Sequence, residues 1–263
     1  MQLAAVRFAV VALFIASIAW NAAAAQVKQE LGGGGLSPAP VMHDFAKWEK
    51  EIAAYEASDR KNPPKKGGVL FIGSSTIRLW KTLEQDFPGV NVINRGFGGS
   101  EIVDSTHFAD RIIFPYEPKQ IFLRAGGNDI HFGRTPIEVA NDFSEFVRVV
   151  HSRLPKTEIL YIAVSPAPVR WSENDKYQAL NKRIREMAVN MSRVGFVDTY
   201  DVSLTPDGRA RPELFVADML HFNADGYRIL TGRVRPYVPQ LATRKATAPT
   251  TIQAPRAEIR PFE

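Results

Sequence analysis

The 263-residue chain contains no cysteine. That absence excludes disulfides, thiolate catalysis, lipid attachment through an N-terminal cysteine and cysteine-ligated zinc. An α/β domain of about 200 residues buries enough core to stand without such staples. Concentrated positive charge is also scarce. The formal net charge is +5, but the basic residues are scattered apart from short pairs such as Arg60-Lys61 and Lys65-Lys66. Nucleic-acid binding needs a basic stripe interleaved with exposed aromatics, and the chain has none, so no nucleic-acid partner is expected. The charge supports mild attraction to anionic surfaces and no more. Internal repeats are lacking as well. Hydrophobic content of 45% and charged content of 23% exclude global disorder.

The two ends differ from the rest. Arg7 gives a weak positive start, residues 8–20 are apolar, and Ala22-Ala23-Ala24-Ala25 offers small-residue cleavage sites. Residues 1–25 are therefore expected to be a secretory signal peptide, with cleavage after Ala25 leaving Gln26 first. The alternative is an uncleaved membrane anchor. A spanning helix wants ~20 strongly apolar residues, so no stable membrane insertion is expected after cleavage. The expected location is outside the cytoplasm, periplasmic or extracellular. Residues 26–42, with four glycines and Pro38-Ala39-Pro40, read as a flexible linker. Residues 242–263, rich in Thr, Ala and Pro without apolar periodicity, read as a disordered tail. A single domain is expected over residues 43–241.

Within that domain, residues 44–58 have helical spacing. Phe45, Trp48, Ile52 and Tyr55 share one face, and Asp44 is the expected N-cap. Short apolar runs at residues 69–72, 90–93, 121–123, 159–164 and 196–197 read as buried parallel strands. Between them lie helical patterns. Thr135-Pro136-Ile137-Glu138 is a capping box with proline at the first helical position, residues 177–191 form another helix, and Asn223 caps a last one. Alternating strands and helices of these lengths predict an α/β fold, a three-layer α/β/α sandwich around a parallel sheet. Ligands in such sheets sit at the carboxyl ends of the strands.

Polar and glycine-rich segments follow the first three strands. They are Gly73-Ser74-Ser75-Thr76, then Asn94-Arg95-Gly96-Phe97-Gly98-Gly99-Ser100, then Gly126-Gly127-Asn128-Asp129. Asp218-Met219-Leu220-His221 precedes the last helix. Such residues suit acyl transfer. A serine hydroxyl becomes a nucleophile when a neighbouring base takes its proton, and an imidazole is the natural base near neutral pH. Asp218 can hold the His221 ring in the needed tautomer. Backbone N–H groups of Ser75 and Gly99 and the Asn128 amide are candidate donors to an oxyanion. Taken singly, each segment reads equally as a turn, a cap or a structural hydrogen bond. Their order along the chain makes them a set.

The four segments resemble the blocks of the SGNH (GDSL-like) serine hydrolases, a family of esterases, lipases and acylhydrolases. Gly73-Ser74-Ser75 is similar to the first block and Gly96-Phe97-Gly98-Gly99 to the second. Gly126-Gly127-Asn128-Asp129 corresponds to the third and Asp218-Met219-Leu220-His221 to the last. The resemblance runs from about Phe45 to Val238. It implies a flavodoxin-like, five-stranded parallel sheet and ester hydrolysis without a cofactor or metal. Ser75 would be the nucleophile, Asp218 and His221 its catalytic partners, and Ser75, Gly99 and Asn128 the oxyanion hole. The substrate expected is a small ester, with an acetyl or short acyl group on a carbohydrate or lipid-derived alcohol. One departure stands out: Ser74 occupies the place where the family has aspartate. A second glycine after Ser75 is missing, and Asp218 lies immediately upstream of His221. Both features set the chain apart from the ordinary α/β-hydrolase fold.

Three further residues, Arg170, Trp171 and His131, are weaker candidates for substrate binding because they follow predicted strand ends. Arg124, also at a strand end, is expected in an ion pair with a nearby carboxylate. Asp129, His131, Asp218 and His221 are an alternative metal-binding set, which would leave Ser75 and Asn128 without a role. Competing readings of the whole chain are a non-catalytic cell-envelope binding module, a thioesterase and a lysophospholipase. The oligomeric state is not expressed in the sequence.

Overall fold

Five short stretches of apolar residues assemble into one sheet in the computed structural model, which describes residues 43–239. The signal peptide, the linker and the C-terminal tail assigned above lie outside the described residues. From Phe45 onward the described chain is one compact unit. The strands are β1 (Val69–Gly73), β2 (Val92–Gly96), β3 (Gln120–Arg124), β4 (Glu158–Ile162) and β5 (Val194–Val197). All pairings are parallel, in the order β2-β1-β3-β4-β5. This is the flavodoxin-like, five-stranded sheet that the family resemblance implies.

Parallel strands are covered on both sides, and the side chains divide accordingly. Leu70, Ile72, Ile121 and Leu123 pack against helices Glu49–Lys61, Ile102–His107, Pro136–Arg153 and Asn174–Asn190. Phe71, Phe122, Leu160 and Ile162 face the other way, against the short helix Ser75–Arg78 and the C-terminal helix Ala224–Val234. The capping residues behave as read. Thr135 and Glu138 exchange their bonds, and Asn223 accepts from the Asp225 and Gly226 N–H groups. The first helix is corrected at its start. A 3-10 turn over Ala46–Trp48 precedes it, and the residue ahead of that turn is Phe45, not Asp44.

Several strand boundaries also shift. The sequence extends β4 to Val164, but the strand ends at Ile162. Beyond it the Ala163 carbonyl accepts from Arg124, and the Asn181 amide brackets both the N–H and the carbonyl of Val164. Side chains have taken the bonds a neighbouring strand would use. Likewise Val90 closes a turn by donating to Phe87, so β2 starts at Val92 and continues through Asn94, Arg95 and Gly96.

The register sets up the site. Gly73 stands level with Gly96 on one side and Arg124 on the other, so three chains leave the sheet side by side. Gly73 has φ +129°, and a Cβ there would fall 2.1 Å from the Arg124 carbonyl oxygen. Only glycine fits both requirements. Gly73→Ala is therefore expected to destabilise the fold by about 3 kcal/mol or more, read as a lowered urea midpoint. An unchanged midpoint would show that this strand end relaxes freely.

Candidate active site

Ser75 is the first residue of the helix Ser75–Arg78 just beyond the carboxyl end of β1, so its N–H has no acceptor one turn back. The Tyr227 hydroxyl donates to the Thr76 carbonyl at 2.9 Å and ties this turn to the C-terminal helix. That helix in turn follows the loop carrying Asp218 and His221. Asp218 organises its loop by accepting from the Leu220 and His221 N–H groups at 2.9 and 3.0 Å. Met219 between them takes φ +55°, a left-handed kink that folds Asp218 back onto His221.

The result is a continuous chain of side chains. Asp218 Oδ2 lies 2.6 Å from His221 Nδ1, and His221 Nε2 lies 2.9 Å from Ser75 Oγ. A carboxylate only accepts, so Nδ1 carries the proton and Nε2 is left to accept from the serine hydroxyl. The imidazole beside it, together with the His221 backbone N–H, holds the Asp218 carboxyl down at about 2. Ser74 is excluded from this arrangement. It makes no cap bond to the helix, and His221 reaches the hydroxyl of Ser75.

Asn128 is in the short helix Gly127–His131 that follows β3 and is only 8% exposed. Its Nδ2 donates to the Ser100 carbonyl at 3.0 Å, which binds the third block to the second. Gly99, one residue before Ser100, has φ +78°, and a Cβ there would sit 3.1 Å from the Trp48 ring. Its N–H forms no hydrogen bond among the described residues. Asp129, beneath, is fully buried and accepts from the Ile102 and Gly126 N–H groups at 3.0 and 2.9 Å. Burial pushes its carboxyl up to about 7 against the pull of those two donors. It is a brace between the two loops.

A small cleft of about 60 Å³ opens between these segments, walled in part by Ser75, Asn128, Val164, Arg170, Leu220 and His221. Neither Gly99 nor Ser100 is in the wall; the link of that loop to the cleft is the Ser100 carbonyl on Asn128. A hydroxyl on an imidazole, a carboxylate behind that imidazole, and free N–H groups nearby are the parts an acyl-transfer site requires.

The remaining expectations fare differently. Arg170 does reach the cleft, where it donates to Asn128 Oδ1 at 3.0 Å. His131 does not, because its Nδ1 is taken by Glu173 at 2.6 Å on the exposed side of that loop. Trp171 is 39% exposed and stands outside the cleft wall. The suggested metal set does not converge: Asp129 is buried on backbone donors, His131 is with Glu173, and Asp218 and His221 are engaged with Ser75. Arg124 has no carboxylate partner among the described residues. It is buried and donates to the Ala163 carbonyl and, at 3.3–3.4 Å, to the hydroxyls of Ser165 and Thr199. Burial lowers it to about 10. Arg95 is the buried arginine that pairs with acid, donating to Asp59 and to the Tyr116 hydroxyl. The bracing by Asp129 and the Ser100 carbonyl were not anticipated. Their only signal was the position of Asp129 directly after Asn128.

The sequence profile of the GDSL-like lipase/acylhydrolase family matches residues 73–229, a span that holds every residue of the cleft named above. No curated protein matches the chain. Several solved structures share its fold. One, described as a platelet activating factor from Streptococcus pneumonia, has a TM-score of 0.65 at 22% identity over 82% of this chain and 98% of its own. A GDSL-like lipase from Bacteroides thetaiotaomicron gives 0.58 at 21% identity over 74% and 96%. An acetylxylan esterase from Geobacillus stearothermophilus gives 0.51 at 15% identity over 65% and 94%.

Proposed function

The chain belongs to the GDSL-like lipase/acylhydrolase family, and from that premise we propose that it is an exported serine esterase that removes an acetyl or other short acyl group through an acyl-enzyme on Ser75. The observation that carries this reading is the unbroken Asp218–His221–Ser75 hydrogen-bonded chain at the mouth of the cleft.

The steps follow from the geometry. Ser75 Oγ attacks the ester carbonyl carbon as His221 Nε2 takes its proton. The carbonyl oxygen becomes an oxyanion, for which the Ser75 and Gly99 N–H groups and the free Nδ2–H of Asn128 are the proposed donors. Collapse breaks the bond to the alcohol, which leaves with the proton held by His221. Water then attacks the acyl-serine, His221 accepts its proton, and collapse releases the acid and returns the proton to Ser75. Asp218, ionised throughout, holds the ring and balances the charge of the imidazolium.

The acyl preference rests on the size of the cleft. At about 60 Å³, with Val164 and Leu220 in its wall, it admits a group the size of acetyl. An acyl chain that outgrows it fits less well, and a misfit of this kind is worth about 1–3 kcal/mol in all. On a series of p-nitrophenyl esters, kcat/KM is expected to fall at least ~10-fold between acetate and octanoate. Equal or faster cleavage of octanoate would contradict the short-acyl reading. An acetylated sugar is the alcohol side we favour, and the acetylxylan esterase of the same fold supports it. Export rests on the composition of residues 1–25. No helix among the described residues is long and apolar enough to cross a membrane.

A further inference from the structure

An amide side chain in an oxyanion site has a problem of orientation. Its oxygen and nitrogen have nearly the same shape, and only one of them can donate to a developing negative charge. Asn128 is fixed at both ends. Its Oδ1 accepts from Arg170 Nη1 at 3.0 Å, and its Nδ2 donates to the Ser100 carbonyl at 3.0 Å. Turning the amide over would set its NH2 against a guanidinium and its oxygen against a carbonyl. Both contacts would repel. One Nδ2–H then remains, and Asn128 lines the cleft.

The guanidinium is itself held in place. Arg170 sits at the kink (φ −115°, ψ 26°) inside the 3-10 segment Pro168–Glu173, and the Val169 N–H just before it donates to the Met219 carbonyl at 3.2 Å, on the loop between Asp218 and His221. The Gly127 carbonyl is 3.5 Å from the same Nη1. The Tyr177 hydroxyl, which donates to Glu173, also neighbours Arg170. No carboxylate forms a salt bridge with Arg170 among the described residues, so its charge is not neutralised at contact. A cation on Oδ1 draws electron density from the amide and makes its N–H a stronger donor. That gain is largest when the acceptor becomes an oxyanion, in a site partly shielded from water.

We propose that Arg170 is a positioning residue of the oxyanion site, which fixes and polarises the Asn128 amide so that its free Nδ2–H meets the oxyanion. The assignment rests on the ester-hydrolase reading above. It replaces the expectation that Arg170 acts by binding substrate.

The test is a double-mutant cycle on the full chain, with p-nitrophenyl acetate as a neutral substrate. A fluorophosphonate serves as a second probe, because its reaction at Ser75 also forms an oxyanion. Arg170→Met is expected to lower kcat by ~10- to 100-fold with KM changed less than about threefold. Arg170→Lys, which keeps a charged donor, should recover most of that loss. In an Asn128→Ala background, Arg170→Met should cost less than about twofold, since the group it acts through is gone. The fluorophosphonate rate should follow the same pattern. Where Arg170→Met melts below the assay temperature, Arg170→Gln takes its place in the cycle. Losses of the same size in both backgrounds, or a loss confined to KM, would overturn the assignment and return Arg170 to substrate binding. In that case wild type still turns over the ester. A wild type that neither cleaves p-nitrophenyl acetate nor takes up the fluorophosphonate would overturn the hydrolase reading, and the assignment with it.

Discussion

Ser75→Ala is expected to lower kcat for p-nitrophenyl acetate by ~10⁴- to 10⁶-fold while the protein melts within a few degrees of wild type. The two halves of that expectation have separate causes. The hydroxyl is the only oxygen among the described residues that His221 Nε2 reaches, at 2.9 Å, so its removal leaves the base without its nucleophile. Residual turnover would come from water and the remaining oxyanion donors. Stability should be spared because Ser75 is half-buried at the first position of a short helix, where alanine is well tolerated. The lost hydrogen bond contributes ~1 kcal/mol at most. Ser74→Ala is the matched control and should cost less than ~10-fold, because Ser74 lines the cleft while the His221 hydrogen bond goes to Ser75. Full activity in Ser75→Ala would remove this serine from the mechanism.

His221→Ala is expected to lose a comparable ~10⁴- to 10⁶-fold, and the double variant Ser75→Ala/His221→Ala no more than either alone. Nucleophile and base act as one unit, so removing the second part of a broken unit costs little further. Asp218→Ala should be milder, at ~10²- to 10⁴-fold. Its carboxylate is about half exposed (48%), so water replaces part of its charge stabilisation. It also shapes the loop through the Leu220 and His221 N–H groups, so circular dichroism should accompany its kinetics. Because Asp218 stays ionised down to about 2, its own protonation does not limit activity in mildly acidic buffers. Losses that add fully in the double variant would mean that Ser75 and His221 act independently.

Much of the sheet was legible because fully buried parallel strands must read as unbroken apolar runs. Phe71, Phe122 and Tyr161 have almost no exposed surface, and their neighbours in sequence are equally apolar. Legibility failed where side chains replace a strand's partners. The end of β4 depends on Arg124 and Asn181, which are distant in sequence and carry no periodic signal. The end of β2 was misplaced because Asn94 and Arg95 look like loop residues, yet Arg95 is satisfied by Asp59 and Tyr116 from other elements. Among the site residues, Ser75, Asp218 and His221 meet as the four-block pattern anticipates. Polar residues at strand ends were harder to sort. His131, Trp171 and Arg170 look alike from sequence, and only the fold separates the one on Asn128 from the one on Glu173 and the one outside the cleft wall.

The most direct test of the central claim is to treat the protein with a fluorophosphonate and map the adduct by peptide mass spectrometry. The account predicts one phosphonyl group per chain, on Ser75, absent from Ser75→Ala and strongly slowed in His221→Ala. An unlabelled protein, or an adduct on Ser74 with Ser75 untouched, would contradict it.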